Sequence, residues 1–343
     1  MVFERATPAF SAHRGKDVTG AGMQGRHTVV LTRRLPPEVE ARAARDYTVR
    51  DNPDDRPLDP PALLARAAGA DGLLVCPADR LPAGLIAALP GSVRVIATFS
   101  VGTDHIDLAA AAARGITVTN TPDVLTEATA EIALLLMLAA ARRGGEGERL
   151  VRAGAWSGWA PTQLLGLQLT GRRLGILGMG RIGQAVARRA RAFGMAIHYS
   201  NRRRLPPELE LGATFHADPE ALPAQSDFLS LHCPATPETR HWLDAGCIAR
   251  LPANAVVVNT ARGNVVDDRA LIAALREGRV FAAGLDVYEN EPALCADYLD
   301  LPNVVLLPHL GSATIATRNA MGFRALDNLD SFFAGEQPPD RVI

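Results

Sequence analysis

The stretch Leu174-Gly175-Ile176-Leu177-Gly178-Met179-Gly180-Arg181-Ile182-Gly183 constrains this chain more than any other. A short apolar run feeds straight into Gly-x-Gly-x-x-Gly. Ile182, Val186, Ala190 and Phe193 then recur at spacings of 4, 4 and 3. Such spacing gives a helix one apolar face, and Gly194 is placed to end it. In a strand–turn–helix unit, Gly178 makes the tight turn and Gly180 lets backbone approach a pyrophosphate. Gly183 lets helix and strand pack closely. The helix start presents unpaired N–H groups to phosphates. A dinucleotide-binding turn is therefore expected, with contacts at Gly178, Gly180 and Gly183.

The following strand ends at Ile197-His198-Tyr199-Ser200. An acid that binds the adenine ribose hydroxyls sits about 20 residues past the glycines in such units. Here Ser200 lies 22 positions past Gly178 and is followed by Asn201, Arg202, Arg203 and Arg204. No carboxylate is present to repel a 2′-phosphate, and planar guanidinium groups can pair with one. The expected coenzyme is NADPH in preference to NADH, with NADH possible as a substitute, and Ser200, Asn201, Arg202 and Arg203 are the expected contacts.

Around this unit the chain alternates short apolar runs with Ala- and Leu-rich helical segments. A first set of runs covers 27–32, 72–76, 93–99 and 116–119; a second covers 174–177, 196–199, 228–231, 255–259, 280–285 and 304–307. Alternation of this kind implies α/β architecture with parallel sheets and helices on both faces. A length of 343 residues suits two domains. Asn120-Thr121-Pro122 breaks the first rhythm, a helix is expected from Thr126 to Arg143 with Gly144-Gly145 as its stop, and a last helix from Ser312 to Phe333.

Composition removes several classes. Lys+Arg number 36 and Asp+Glu 37, so a net charge of −1 argues against a nucleic-acid binder. Ile132–Ala141, the longest apolar stretch, is ten residues and too short to span a bilayer. Cys76, Cys233, Cys247 and Cys295 form no CxxC pair, so no metal site or disulfide framework is expected. They suit reduced thiols in a cytoplasmic protein. Residues 1–25 lack the apolar core of a signal peptide and are expected to be disordered.

Three segments following the later strands carry reactive side chains: Asn259-Thr260-Ala261-Arg262-Gly263, Gly284 to Pro292, and Leu307-Pro308-His309-Leu310-Gly311. Ligands of doubly wound sheets sit beyond the carboxyl ends of the strands. Reduction of a 2-keto acid needs a cation to hold the carboxylate and polarise the carbonyl, and a proton donor for the developing alkoxide. Arg262 suits the first task and His309 the second. A carboxylate beside such a donor favours its protonated form; Glu291 is the expected neighbour, with Glu289 as the alternative.

The motifs SVGTDHID (100–107), NTPDVLTEATAE (120–131), LGMGRIGQA (177–185), NTARGNVVDD (259–268), GLDVYENEP (284–292) and LPHLGSAT (307–314) occur in one order. With them the chain resembles the D-isomer-specific 2-hydroxyacid dehydrogenase family, glyoxylate/hydroxypyruvate reductase branch, over residues 27–335. The resemblance implies two Rossmann-like doubly wound parallel-sheet domains with a cleft between them. One is a substrate domain made of residues 26–120 and 310–343; the other is a dinucleotide-binding domain of residues 121–309. It implies Arg262, Glu291 and His309 as a catalytic triad and the backbone N–H groups of Val101 and Gly102 as holders of the substrate carboxylate. It further implies coenzyme contacts at Thr126, Arg181, Ile182, Cys233, Pro234, Thr239, Thr260, Ala261, Asp286 and Gly311. In similar reductases a loop like Trp156-Ser157-Gly158-Trp159 reaches the partner's active site, so a homodimer with Trp159 at the substrate is expected. Two rivals remain: a dehydrogenase of bulkier keto acids, and an NAD(P)(H)-sensing binding protein of the corepressor kind, which the intact Arg/Glu/His set disfavours.

Overall fold

The computed structural model describes residues 25–343; the expectation for residues 1–25 lies, Gly25 apart, outside them. Among the described residues twelve strands form two separate, wholly parallel sheets. In the first are β1 (Thr28–Leu31), β2 (Thr48–Arg50), β3 (Gly72–Val75), β4 (Val95–Thr98) and β5 (Thr117–Thr119). Their spatial order is β2-β1-β3-β4-β5. In the second are β6 (Arg173–Leu177), β7 (Ala196–Ser200), β8 (Thr214–His216), β9 (Phe228–Leu231), β10 (Ala255–Asn259), β11 (Val280–Leu285) and β12 (Val304–Leu306). Their order is β12-β11-β10-β9-β6-β7-β8. Both orders reverse direction part-way, next to β1 in one sheet and β6 in the other. Such switch points open a crevice at the strands' carboxyl ends.

The central strands β3, β4, β9 and β10 are buried along their whole length. This explains why they read as unbroken apolar runs rather than alternating ones. The edge strands β2 and β8 escaped the sequence reading. Each is three residues long and partly exposed, with Thr48, Arg50, Thr214 and His216 supplying polar side chains.

The helix Thr126–Ala141 packs against the second sheet and buries nine residues. Its fit is close: a Cβ on Gly284 of β11 would lie 2.8 Å from the Leu136 side chain. The expected stop at Gly144-Gly145 is not where the chain turns. Arg143 turns it, with φ of 53°, and the two glycines instead begin a further helix, Gly144–Arg152. Glu146 early and Arg149 and Arg152 late suit the dipole of that helix, and Arg143 pairs with Glu146 at 2.6 Å.

The last helix, Ile315–Phe333, is capped by Thr314, whose hydroxyl accepts from the N–H of Thr317. It returns to the first sheet. Met321, Ala325, Leu326 and Leu329 join Val29, Leu31, Val39 and Ala97 in one core. Gly322 allows the crossing, since a Cβ there would stand 2.5 Å from Val39. Beyond it, Val342 N–H donates to Val118 of β5 at 2.8 Å. Among the described residues no helix is long and apolar enough to cross a membrane.

Candidate active site

The glycine turn sits at the carboxyl end of β6. Gly178 has φ of 94°, and a Cβ there would stand 2.6 Å from the Cys233 backbone nitrogen. A Cβ on Gly183 would stand 2.3 Å from the Gly178 carbonyl. Both glycines are demanded by the chain's own packing. Gly180 is different: a Cβ there would meet nothing within 4 Å. Its smallness clears space at the first turn of the helix Arg181–Ala192, where orphan N–H groups gather. The turn therefore fits a dinucleotide pyrophosphate.

Ser200 is 3% exposed, and its carbonyl accepts from Gly178 N–H at 3.0 Å. The Asn201 side chain accepts from Met179 N–H at 3.1 Å and so braces the turn. Of the three arginines that follow, Arg204 is spoken for. It pairs with Glu210 at 2.8 Å. Arg202 and Arg203 are exposed and make no ion pair among the described residues. Arg181 pairs with Asp123, and Ile182 packs against the cores of both sheets. Thr126 is the first residue of its helix. Cys233 is 8% exposed, with burial pushing its thiol up to about 12. Pro234 is bridged by the Thr239 hydroxyl, which donates to its carbonyl at 2.7 Å. Thr260 lies 3.3 Å from a ring nitrogen of half-buried His232.

Arg262 lies three residues past the end of β10. Asn259 shapes the turn, accepting from Ala261 N–H and donating to the Arg262 carbonyl, each at 2.9 Å. A Cβ on Gly263 would overlap the backbone of Tyr288, at 1.8 Å. Glycine at 263 thus lets the Arg262 turn lie against the segment carrying Glu291. Glu291 accepts from Tyr288 N–H at 2.8 Å and from His309 Nδ1 at 2.8 Å. Burial works against its charge, but His309, the Tyr288 N–H and Arg262 together hold its carboxyl below the usual range. Glu291 and His309 remain 32% and 41% exposed, open to a ligand. Glu289, the alternative neighbour, pairs instead with Arg240 and His241.

His309 adopts a left-handed backbone, φ 55°. A non-glycine residue there costs about 1–3 kcal/mol. Asp286 opposes the cost. Its carbonyl accepts from His309 N–H at 2.9 Å, and its carboxylate accepts from the N–H groups of Leu310 at 2.6 Å and Gly311 at 2.8 Å. Hydrogen bonds to charged groups contribute about 1.5–3 kcal/mol each, so the turn is held. Asp286, for which the resemblance implies a coenzyme contact, is 1% exposed and braces the His309 turn. Burial raises its carboxyl above the ordinary value, and the two N–H donors and the His309 charge pull the other way.

The first sheet supplies the opposite lip. Beyond β4, the Val101 carbonyl accepts from Asn120 and the Gly102 carbonyl from Ser100. The N–H groups of Val101 and Gly102 donate to no protein atom among the described residues. Buried His105 holds the loop through Thr98, at 2.9 Å, and burial pushes its pKa down to about 4. Arg262 reaches across to this loop and pairs with Asp104 at 3.0 Å. Asp104 and His105 lie inside the SVGTDHID motif, yet spacing alone gave them no role. Trp156 and Trp159 stand 54% and 82% exposed. No cluster of three or more potential metal ligands occurs among the described residues.

Residues 134–311 match the family model for the D-isomer specific 2-hydroxyacid dehydrogenase NAD binding domain. The chain is 43% identical over 309 residues to the glycerate dehydrogenase of Hyphomicrobium methylovorum, covering 90% of this chain and 96% of that one. The chain belongs to the D-isomer-specific 2-hydroxyacid dehydrogenases. It is also 43% identical over 319 residues to the glyoxylate reductase of Thermococcus litoralis, covering 92% and 96%. Among solved structures it resembles the NADPH-dependent glyoxylate/hydroxypyruvate reductase of Sinorhizobium meliloti, in complex with NADP and malonate. The TM-score is 0.84 at 37% identity, covering 93% of this chain and 97% of that one. The protein is thus an oxidoreductase of this family, and two sheets that each reverse strand order are its fold.

Proposed function

We propose that this dehydrogenase reduces small 2-keto acids, glyoxylate and hydroxypyruvate foremost, with NADPH as the favoured reductant. One observation carries the reading: an imidazole paired with a carboxylate, and a guanidinium, gather opposite a loop whose two backbone N–H groups are free. The relatives' names fit it, since glycerate is the product of hydroxypyruvate reduction.

In this reading Arg262 and the N–H groups of Val101 and Gly102 hold the substrate carboxylate. Glu291 offers only acceptors, so His309 donates to it from Nδ1 and turns Nε2 to the substrate. When bound, the reduced nicotinamide supplies hydride to the keto carbon. His309 delivers the proton from Nε2 to the developing alkoxide oxygen, and Glu291 stabilises the charged imidazole before transfer. Residues 121–309 form the coenzyme domain and residues 26–120 with 310–343 the substrate domain. Closure of one on the other excludes water.

The NADPH preference rests on Ser200 in place of an acid and on the exposed Arg202 and Arg203. We place the enzyme in the cytoplasm as a homodimer, with the tryptophan loop at the partner's substrate site. The test is coenzyme oxidation by the purified protein against a keto-acid panel with each coenzyme. Turnover of glyoxylate and hydroxypyruvate, faster with NADPH, is expected. Efficient use of phenylpyruvate alone, or a clear NADH preference, would overturn the corresponding part.

A further inference from the structure

We propose that Asp104 is the positioning residue for Arg262, fixing the guanidinium across the cleft at the angle that receives a substrate carboxylate. The inference rests on the reading of Arg262 as the carboxylate anchor. A guanidinium has five N–H bonds. Nε–H donates to Asp104 at 3.0 Å and Nη1 donates to the Ala261 carbonyl at 2.8 Å. The remaining N–H bonds are free for an anion. Nη2 lies hard against Gly102, where a Cβ would stand only 1.9 Å away. The free donors of Arg262 are thereby turned toward the backbone whose own N–H groups are free.

Surface ion pairs of this length contribute little to stability, but this one has a different setting. Its side chains are 27% and 35% exposed, and it joins residues 158 positions apart on loops of different sheets. The loop that carries Asp104 is pinned on either side of it. The Thr98 hydroxyl bonds both His105 Nε2, at 2.9 Å, and the Ser100 hydroxyl, at 2.8 Å; Ser100 in turn donates to the Gly102 carbonyl at 2.7 Å. One clamped loop therefore brings both the backbone donors and the charge that aims the guanidinium. Burial opposes the Asp104 charge, but Arg262 keeps its carboxyl below the usual range.

Asp104 also places a negative charge close to where an anionic substrate binds. The two possible effects have opposite signs: loss of aim weakens substrate binding, loss of repulsion tightens it. We infer that aim dominates. The experiment compares wild type, Asp104→Asn and Asp104→Glu. It reads glyoxylate KM, coenzyme KM and the dissociation constant of oxamate, an unreactive keto-acid isostere, in the presence of coenzyme. Asp104→Asn should raise glyoxylate KM and oxamate Kd about tenfold, the scale of one charge-assisted hydrogen bond. Coenzyme KM should stay within about twofold, and Asp104→Glu should recover part of the loss. Unchanged or tighter oxamate binding in Asp104→Asn would overturn the proposal. Arg262→Ala separates the two readings. If it leaves oxamate Kd unchanged, Arg262 is not the anchor. If it weakens oxamate while Asp104→Asn does not, only the Asp104 assignment fails. In the Arg262→Ala background, Asp104→Asn should add nothing further; an added loss would assign Asp104 a separate role.

Discussion

The two lips of the cleft are braced by opposite chemistry. On the first sheet, the loop after β4 is held by neutral groups: buried His105, Thr98 and Ser100. On the second, the turn after β12 is held by a buried carboxylate, Asp286, which takes two backbone N–H groups. The neutral lip leaves two backbone donors free for an anion. The charged lip keeps an imidazole in a left-handed turn beside Glu291. The first loop's own carboxylate, Asp104, is taken up by Arg262, so its brace adds no further charge beside the free donors. A proton-transferring lip gains from fixed negative charge.

Changes on the charged lip should act on chemistry most strongly. His309→Gln is expected to lower kcat for glyoxylate by about 10²–10⁴-fold, the usual contribution of a general acid. Coenzyme binding, followed by fluorescence titration, should move less than threefold or so. A comparable loss in both would erase the distinction between the lips.

The neutral lip should instead reveal itself through pH. His105 has a pKa pushed down to about 4 by burial, whereas an unfolded histidine titrates near 6.5. Between those values the unfolded chain binds the extra proton, so stability falls as pH drops from about 6.5 toward 4. His232, also pushed down to about 4 by burial, adds the same sign. His105→Gln should flatten that decline by up to ~3 kcal/mol, measured by urea unfolding at several pH values. An unaltered slope would mean that His105 is not held neutral.

Asp286→Asn tests the charged brace more gently. An amide NH₂ would face a backbone N–H, and a loss of about 1–3 kcal/mol is expected, with kcat falling alongside stability. An effect on stability without one on kcat would detach the brace from His309. Smallest of all, Arg203→Ala should reduce the ratio of kcat/KM for NADPH over NADH by several-fold, near the ~1.4 kcal/mol of a tenfold change. An unmoved ratio would return this arginine to the solvated surface.

The glycine turn was legible because steric demand and sequence coincide there: Gly178 and Gly183 admit no side chain. The apolar runs disclosed ten strands, most plainly β3, β4, β9 and β10, where burial on both faces leaves an unbroken apolar pattern. What escaped was contact between distant residues. Arg262 meets Asp104 across 158 positions, and Asp286 grips a turn 24 residues on. Neither leaves a local period. The pairing of Arg204 with Glu210, six residues later, likewise forms only in the fold. Gly144-Gly145 looked like a stop because glycine favours left-handed ends, yet Arg143 took that conformation instead.

The central claim is that both lips meet one substrate, and a crystal structure with coenzyme and oxamate tests it most directly. The oxamate carboxylate should lie against Arg262 and the N–H groups of Val101 and Gly102, with its carbonyl oxygen within hydrogen-bonding reach of His309 Nε2. A carboxylate bound away from Arg262, or a carbonyl turned from His309, would contradict the account.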